Sequence, residues 1–108
     1  MASAFVNTLV KNVTNSATTL FTASASTQHV IIGLSIANTT TSSITMDVYI
    51  TRSAVNYYLI KGASIAPGNT LVVVGADQKV VMVSGDVLKA LSGTATSADA
   101  SINHLDLT

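Results

Sequence analysis

Hydrophobic and polar residues alternate in short runs along this chain, with the period of two that a β-strand produces. In SITMDVYIT, Ile44, Met46, Val48 and Ile50 share one face, and Thr45, Asp47, Tyr49 and Thr51 share the other. The pattern predicts a half-buried strand. HVIIGLSIAN reads the same way, with Val30, Ile32, Leu34 and Ile36 on one face and Ile31, Gly33, Ser35 and Ala37 opposite. Gly33 leaves room there for a close neighbour or a bulge.

Turn residues separate these runs. VNYYLIK follows a short polar stretch at Arg52 to Ala54, which predicts a hairpin with the preceding strand. Pro67-Gly68 suits the centre of a type II turn, because proline fixes the first φ and glycine supplies the positive second one. Ala76-Asp77-Gln78 and Ser84-Gly85-Asp86 divide LVVVG, KVVMV and VLKAL. AFVNTLVKNV and ATTLFTAS read as two N-terminal strands joined around Thr14 to Ser16, and DVLKALS is read as strand rather than helix. ADASINHLDLT places Ile102 and His104 on one face and Leu105 and Leu107 on the other, so both faces are covered or a bulge shifts the phase. The sum is an all-β protein: a single-domain antiparallel β-sandwich over residues 1–108, jelly-roll or immunoglobulin-like, with about eight strands.

Composition changes the picture in one respect. Of 108 residues, 48% are hydrophobic and only 9% charged, against about a quarter charged in ordinary soluble domains. Ser and Thr, roughly a quarter of the chain, must therefore cover much of its surface. Five basic and five acidic side chains give no net charge, so no field exists to attract nucleic acid, and none is expected as a partner. A neutral surface also gives little protection against association, which predicts an assembly subunit. The longest apolar runs fall far short of the ~20 residues that cross a bilayer as a helix, and the start lacks the basic and apolar regions of a signal peptide; no membrane partner is expected.

Candidate chemistry is sparse. The chain has no cysteine and no glutamate, and Asp47, Asp77, Asp86, Asp99 and Asp106 are scattered, with Asp77, Asp86 and Asp99 read as turn residues. His104 and Asp106 form an i, i+2 pair on one strand face that could address a common ion, yet a hydrogen bond or packing role is the favoured reading. No catalytic residue, metal or cofactor is expected, and calcium would need some six oxygens gathered from separate loops. Tyr57 and Tyr58 point to opposite faces; with Tyr49 they could stack on a sugar or a protein. Tyr49, Tyr57, Tyr58 and His104 are the candidate interface residues. Two sequons, Asn12-Val13-Thr14 and Asn38-Thr39-Thr40, are read as chance matches in a Thr-rich chain.

The string ITRSAVNYYLIKGASIAPGNTLVVVGADQKVVMVSGDVLKAL followed by TSADASINHLDLT resembles short virion structural proteins of tailed bacteriophages, over roughly residues 28 to 108. The resemblance implies a β-sandwich without enzymatic activity, made in the host cytoplasm and built into the virion. It implies capsid decoration, or cement, at capsomer junctions, with a tail, neck, baseplate or fibre-attachment role as the alternative. The partners implied are the major capsid protein or other virion proteins. Weakly protected strand edges further predict a homo-oligomer, a trimer before a dimer. A carbohydrate-binding β-module built on the three tyrosines is the reading from a different class.

Overall fold

A computed structural model describes residues 3–25, 27–75 and 78–107. Nine strands are found among them: β1 (Ser3–Val13), β2 (Thr18–Thr22), β3 (Gln28–Asn38), β4 (Ile44–Arg52), β5 (Val55–Ile65), β6 (Thr70–Val74), β7 (Val80–Met82), β8 (Val87–Ser92) and β9 (Ala98–Leu107). They form two antiparallel sheets, one ordered β1-β9-β3-β6 with β7 also on β3, the other ordered β2-β8-β4-β5. Partners are nested: β4 pairs with β5, β3 with β6 and β7, β2 with β8, and β1 with β9. A long hairpin rolled so that successive strands alternate between sheets is a jelly roll, which decides against the immunoglobulin-like alternative. β6 lies against Leu34–Ala37 and β7 against His29–Ile31, so the two share one strand position, and nine strands fill the places of eight.

The core lies between the sheets and is built from alternate residues of facing strands. Ile44, Met46, Val48 and Ile50 are buried, as the alternation in β4 predicts. The first half of β3 differs in phase from expectation, whereas Leu34 and Ile36 face the core as predicted. His29 and Ile31 point inward at its start and Leu34, Ile36 and Asn38 beyond, because Ile32 is an extra residue between the pairs Ile31↔His104 and Gly33↔Asn103. The bulge falls beside Gly33, where a Cβ would sit 3.4 Å from Asn103 Nδ2. β9 runs without a shift against β3 after that point, with Ala98, Ala100, Ile102 and His104 buried in strict alternation.

The turns follow their residue types. Asn69 N–H donates to Ala66 O at 3.0 Å around Pro67-Gly68, with Gly68 at φ +73°, and Asp86 N–H donates to Val83 O at 3.0 Å, with Gly85 at φ +90°. Ser53 and Ala54, both at positive φ, close the β4–β5 hairpin between Arg52 and Val55. The turn expected at Ala76-Asp77-Gln78 lies partly outside the described residues, and Asp77 wholly so. Asp99 is not in a turn; it sits on β9 and reaches across to β1. Its carboxylate accepts from Lys11 Nζ at 2.9 Å and Asn12 N–H at 3.1 Å, where Asn12 at φ +60° forms a bulge in β1. Among the described residues, no helix is long and apolar enough to cross a membrane.

Candidate functional site

The two histidines meet at one end of the sandwich. His29 stands directly opposite Asp106 in the β3–β9 register, and His104 precedes Asp106 by two residues on the same face of β9. Both rings turn into the space between the sheets and are 3% and 1% exposed. Phe21 of β2, from the facing sheet, packs against both, with ring centroids 4.7 Å from His29 and 4.3 Å from His104.

One carboxylate oxygen serves both imidazoles. Asp106 Oδ1 accepts from His29 Nδ1 at 2.6 Å and from His104 Nδ1 at 2.6 Å. At the far side of His29, Ser24 N–H donates to Nε2 at 3.3 Å, so the ring accepts there and carries its hydrogen on Nδ1. His104 Nε2 lies 3.0 Å from Thr8 Oγ1, and a hydroxyl can donate to it or accept from it. Burial pushes the Asp106 carboxyl up, yet hydrogen bonds from His29 and His104 outweigh this and hold it below the ordinary aspartate value. The cluster thus joins β3, β9, β1 and the segment after β2 through one acceptor.

Sequence spacing brings out His104 and Asp106 but not His29, which is 77 positions from Asp106. Only the strand pairing supplies it.

The tyrosines divide. Tyr49 is buried and stacks on Tyr58 across the β4–β5 pair, with centroids 5.0 Å apart. Lys61 Nζ sits over the Tyr58 ring at 4.5 Å and lies 3.8 Å from Asp47 Oδ2. Burial, with help from Tyr58 and Asp47, raises the Tyr49 hydroxyl above its ordinary pKa. Tyr57 pairs with Ile50 and belongs to the opposite face of the sheet. The three rings therefore form no common platform, and His104 lies buried at a separate place.

A further feature is absent from the sequence reading: the outer half of β1. Phe5 and Leu9 are 78% and 72% exposed on one face, separated by Asn7, whose side chain donates to Asn103 Oδ1 at 2.7 Å. A groove bordered by Phe5, Asn7, Ile32, Gly33 and Asn103 runs beside them. Both residues are legible as apolar; their exposure follows from the register, which sets them opposite Leu105 and Ser101 on the outer face of the sheet while Val6 and Thr8 face His104 and Ile102 inside.

No family model matches the chain, and no curated protein sequence matches it significantly. Among solved structures, a protein of the T13 IBDV viral particle superposes with a TM-score of 0.60 at 10% identity, over 96% of this chain and 30% of that one. A protein of Bacillus endospore appendages, described as a novel family of disulfide-linked pili, gives 0.52 at 13% identity over 96% and 85%. A pentameric capsid protein from metagenomic phage sequences gives 0.44 at 20% identity over 92% and 59%, a fit too loose to carry an argument. At these identities the likeness establishes a shared fold and nothing more.

Proposed function

We propose that this chain is a structural subunit of a virus particle, and specifically a capsid decoration protein that binds at capsomer junctions of a tailed bacteriophage. The observation that carries the reading is the edge of β1. From Ser3 to Val10 its pairing with β9 is unbroken, its other edge carries no partner strand among the described residues, and Phe5 and Leu9 stand out into solvent on its outer face. A monomer would normally blunt such an edge. Support also comes from the jelly-roll fold shared with a protein of a viral particle, from the near absence of charge, and from the phage-like pattern of residues 28 to 108. The role is non-enzymatic, with the major capsid protein as partner and a second copy of this chain beside it, a trimer before a dimer.

A filament or tail-type subunit is the second reading, favoured by the likeness to a pilus protein over most of that protein's length. With no cysteine here, such a filament would be held without disulfides. The carbohydrate-binding alternative loses support, since Lys61 already occupies a face of Tyr58 and Tyr57 lies across the sheet.

Quantitative mass spectrometry of purified particles tests the proposal. Copy numbers comparable to the major capsid protein are expected. A handful of copies per particle would transfer the protein to the tail or neck, and absence from particles would overturn both readings.

A further inference from the structure

We propose that His29, His104 and Asp106 form a binding site for a divalent transition-metal ion of the zinc, cobalt and nickel group, which pins β9 to β3. Two imidazole nitrogens and one carboxylate oxygen lie within 4.8 Å of one another. That donor set suits these ions, and three protein ligands leave a coordination position open for water.

The convergence of the donors goes beyond proximity. Both Nδ1 atoms aim at the same oxygen from 2.6 Å, with their hydrogens in the space between. An ion replacing those hydrogens would lie about 2.0–2.1 Å from each nitrogen, and since tetrahedral ligands then stand about 3.4 Å apart, each nitrogen has to draw back from the oxygen by about 0.8 Å to admit it. Phe21 holds both rings in that orientation. Asp106, its side chain 26% exposed, provides the way in, while the histidines stay buried.

A neutral imidazole that coordinates through Nδ1 carries its hydrogen on Nε2 instead. For His104 this is favourable, because Nε2–H would then donate to Thr8 Oγ1, an outer partner of the kind that orients metal-bound histidines. For His29 it costs the contact with Ser24 N–H and turns two donors toward each other, so the exposed Ser24 segment has to swing aside. That contact is long at 3.3 Å, and Ser24 is exposed, so water can take over the freed N–H. Three hydrogen bonds, the two short ones to Asp106 and the long one from Ser24, are exchanged for three coordinate bonds.

The placement gives the ion a structural role. Ser3 and Gln28 both pair with Leu107, so the ends of β1, β3 and β9 meet beside the cluster. A chain of 108 residues without cysteine has no disulfide to fasten such an end, and a metal can serve instead.

The test uses the untagged chain, stripped with chelator and titrated with cobalt(II) and zinc(II) chloride. One equivalent of cobalt should give a visible absorption band of low-symmetry coordination. Zinc should raise the thermal midpoint by roughly 10 °C at a free-ion concentration about a hundredfold above the dissociation constant. Asp106→Asn and His29→Gln should abolish both effects, whereas Asp47→Asn should not. Because the cluster variants could unfold, nitrogen-15 spectra of the unaltered protein provide a second reading: zinc should shift Nδ1 of both histidines and move the ring hydrogen of His29 to Nε2. Absence of cobalt absorption and zinc stabilisation at millimolar ion, binding undiminished in folded Asp106→Asn, or unmoved histidine resonances would each overturn the proposal.

Discussion

The guanidinium of Arg52 grips the carboxylate of Asp86 with two parallel hydrogen bonds, Nε to Oδ1 at 2.7 Å and Nη2 to Oδ2 at 2.6 Å. Arg52 ends β4 and Asp86 leads into β8, its neighbour in the sheet. Asp86 is fully buried, also accepts Val83 N–H at 3.0 Å, and offers its backbone carbonyl to Ala23 N–H at 2.8 Å. Asp86→Asn keeps the shape but turns an amide donor toward groups that are themselves donors. Loss of these charge-assisted bonds should lower unfolding stability by about 1.5–3 kcal/mol, measured by urea denaturation. An unchanged midpoint would show that the pair contributes nothing.

The same residue sets a pH dependence. The hydrogen bond from Arg52, opposed by burial and aided by Val83 N–H, holds the Asp86 carboxyl below the ordinary value near 3.8. The hydrogen bonds from Lys11 and Asn12 N–H lower Asp99 as well, though that pair is solvent-exposed and screened. A carboxyl whose folded pKa lies below its unfolded one adds stability that is present above the unfolded value and lost as pH falls through the folded value. Contributions from these groups should hence be level from pH 7 to about 5 and decline below about 4. Asp86→Asn should make that acid decline shallower; an equally steep decline in the variant would assign it to other groups.

Asn38 shows how a sequence motif acquires a different meaning in the fold. Its amide donates to Ser42 O at 2.8 Å and Ile65 O at 2.9 Å, and its carbonyl accepts Thr40 N–H at 2.8 Å and Thr40 Oγ1–H at 2.7 Å. The Asn-Thr-Thr spacing therefore organises the β3–β4 connection, and the buried amide is out of reach of glycosylation in the folded domain. Asn38→Ala should cost about 2 kcal/mol, chiefly by leaving the buried Ile65 carbonyl without its donor. Asn38→Asp should cost more at neutral pH, because a carboxylate would face those carbonyls. Chemical denaturation of the two variants checks the order, and a milder Asp effect would contradict the assignment.

How far the fold could be read from the sequence depended on whether its cause was local. β4 was legible because four alternating apolar residues face the core without interruption. Only the first half of β3 is out of phase, while Leu34 and Ile36 face the core as the alternation predicts, because the bulge at Ile32 is imposed by its pairing with β9, and only Gly33 gives notice of it. The jelly-roll order was not legible, since it rests on pairings such as Ser3 with Leu107 that no local pattern encodes. Asp99 looked like a turn residue because its partners, Lys11 and Asn12, lie 88 and 87 positions away. The histidine cluster was half legible for the same reason: a strand places i and i+2 on one face, whereas His29 arrives through topology.

Oligomerisation follows from comparing the sheet edges. β5 is interrupted twice, where an extra residue at Gly62, with its N–H donating to Asp47 Oδ1 at 2.6 Å, and another at Leu59 shift its pairing with β4; Lys61 adds a charge. β2 is short and has a shift of its own between Thr19 and Phe21, and β6 is only five residues long. Such features blunt an edge against pairing. β1 differs, because its bulge and Lys11 protect only the end near Val13, leaving Ser3 to Val10 regular. Self-association should consequently run through that stretch. Phe5→Lys/Leu9→Lys should shift sedimentation of the isolated protein at micromolar concentration toward the monomer. Its stability at concentrations where both proteins are monomeric should stay within about 0.5 kcal/mol of the parent, since neither side chain is buried within the subunit. A parent that is already a monodisperse monomer, and that touches only capsid protein on the particle, would refute the argument from this edge.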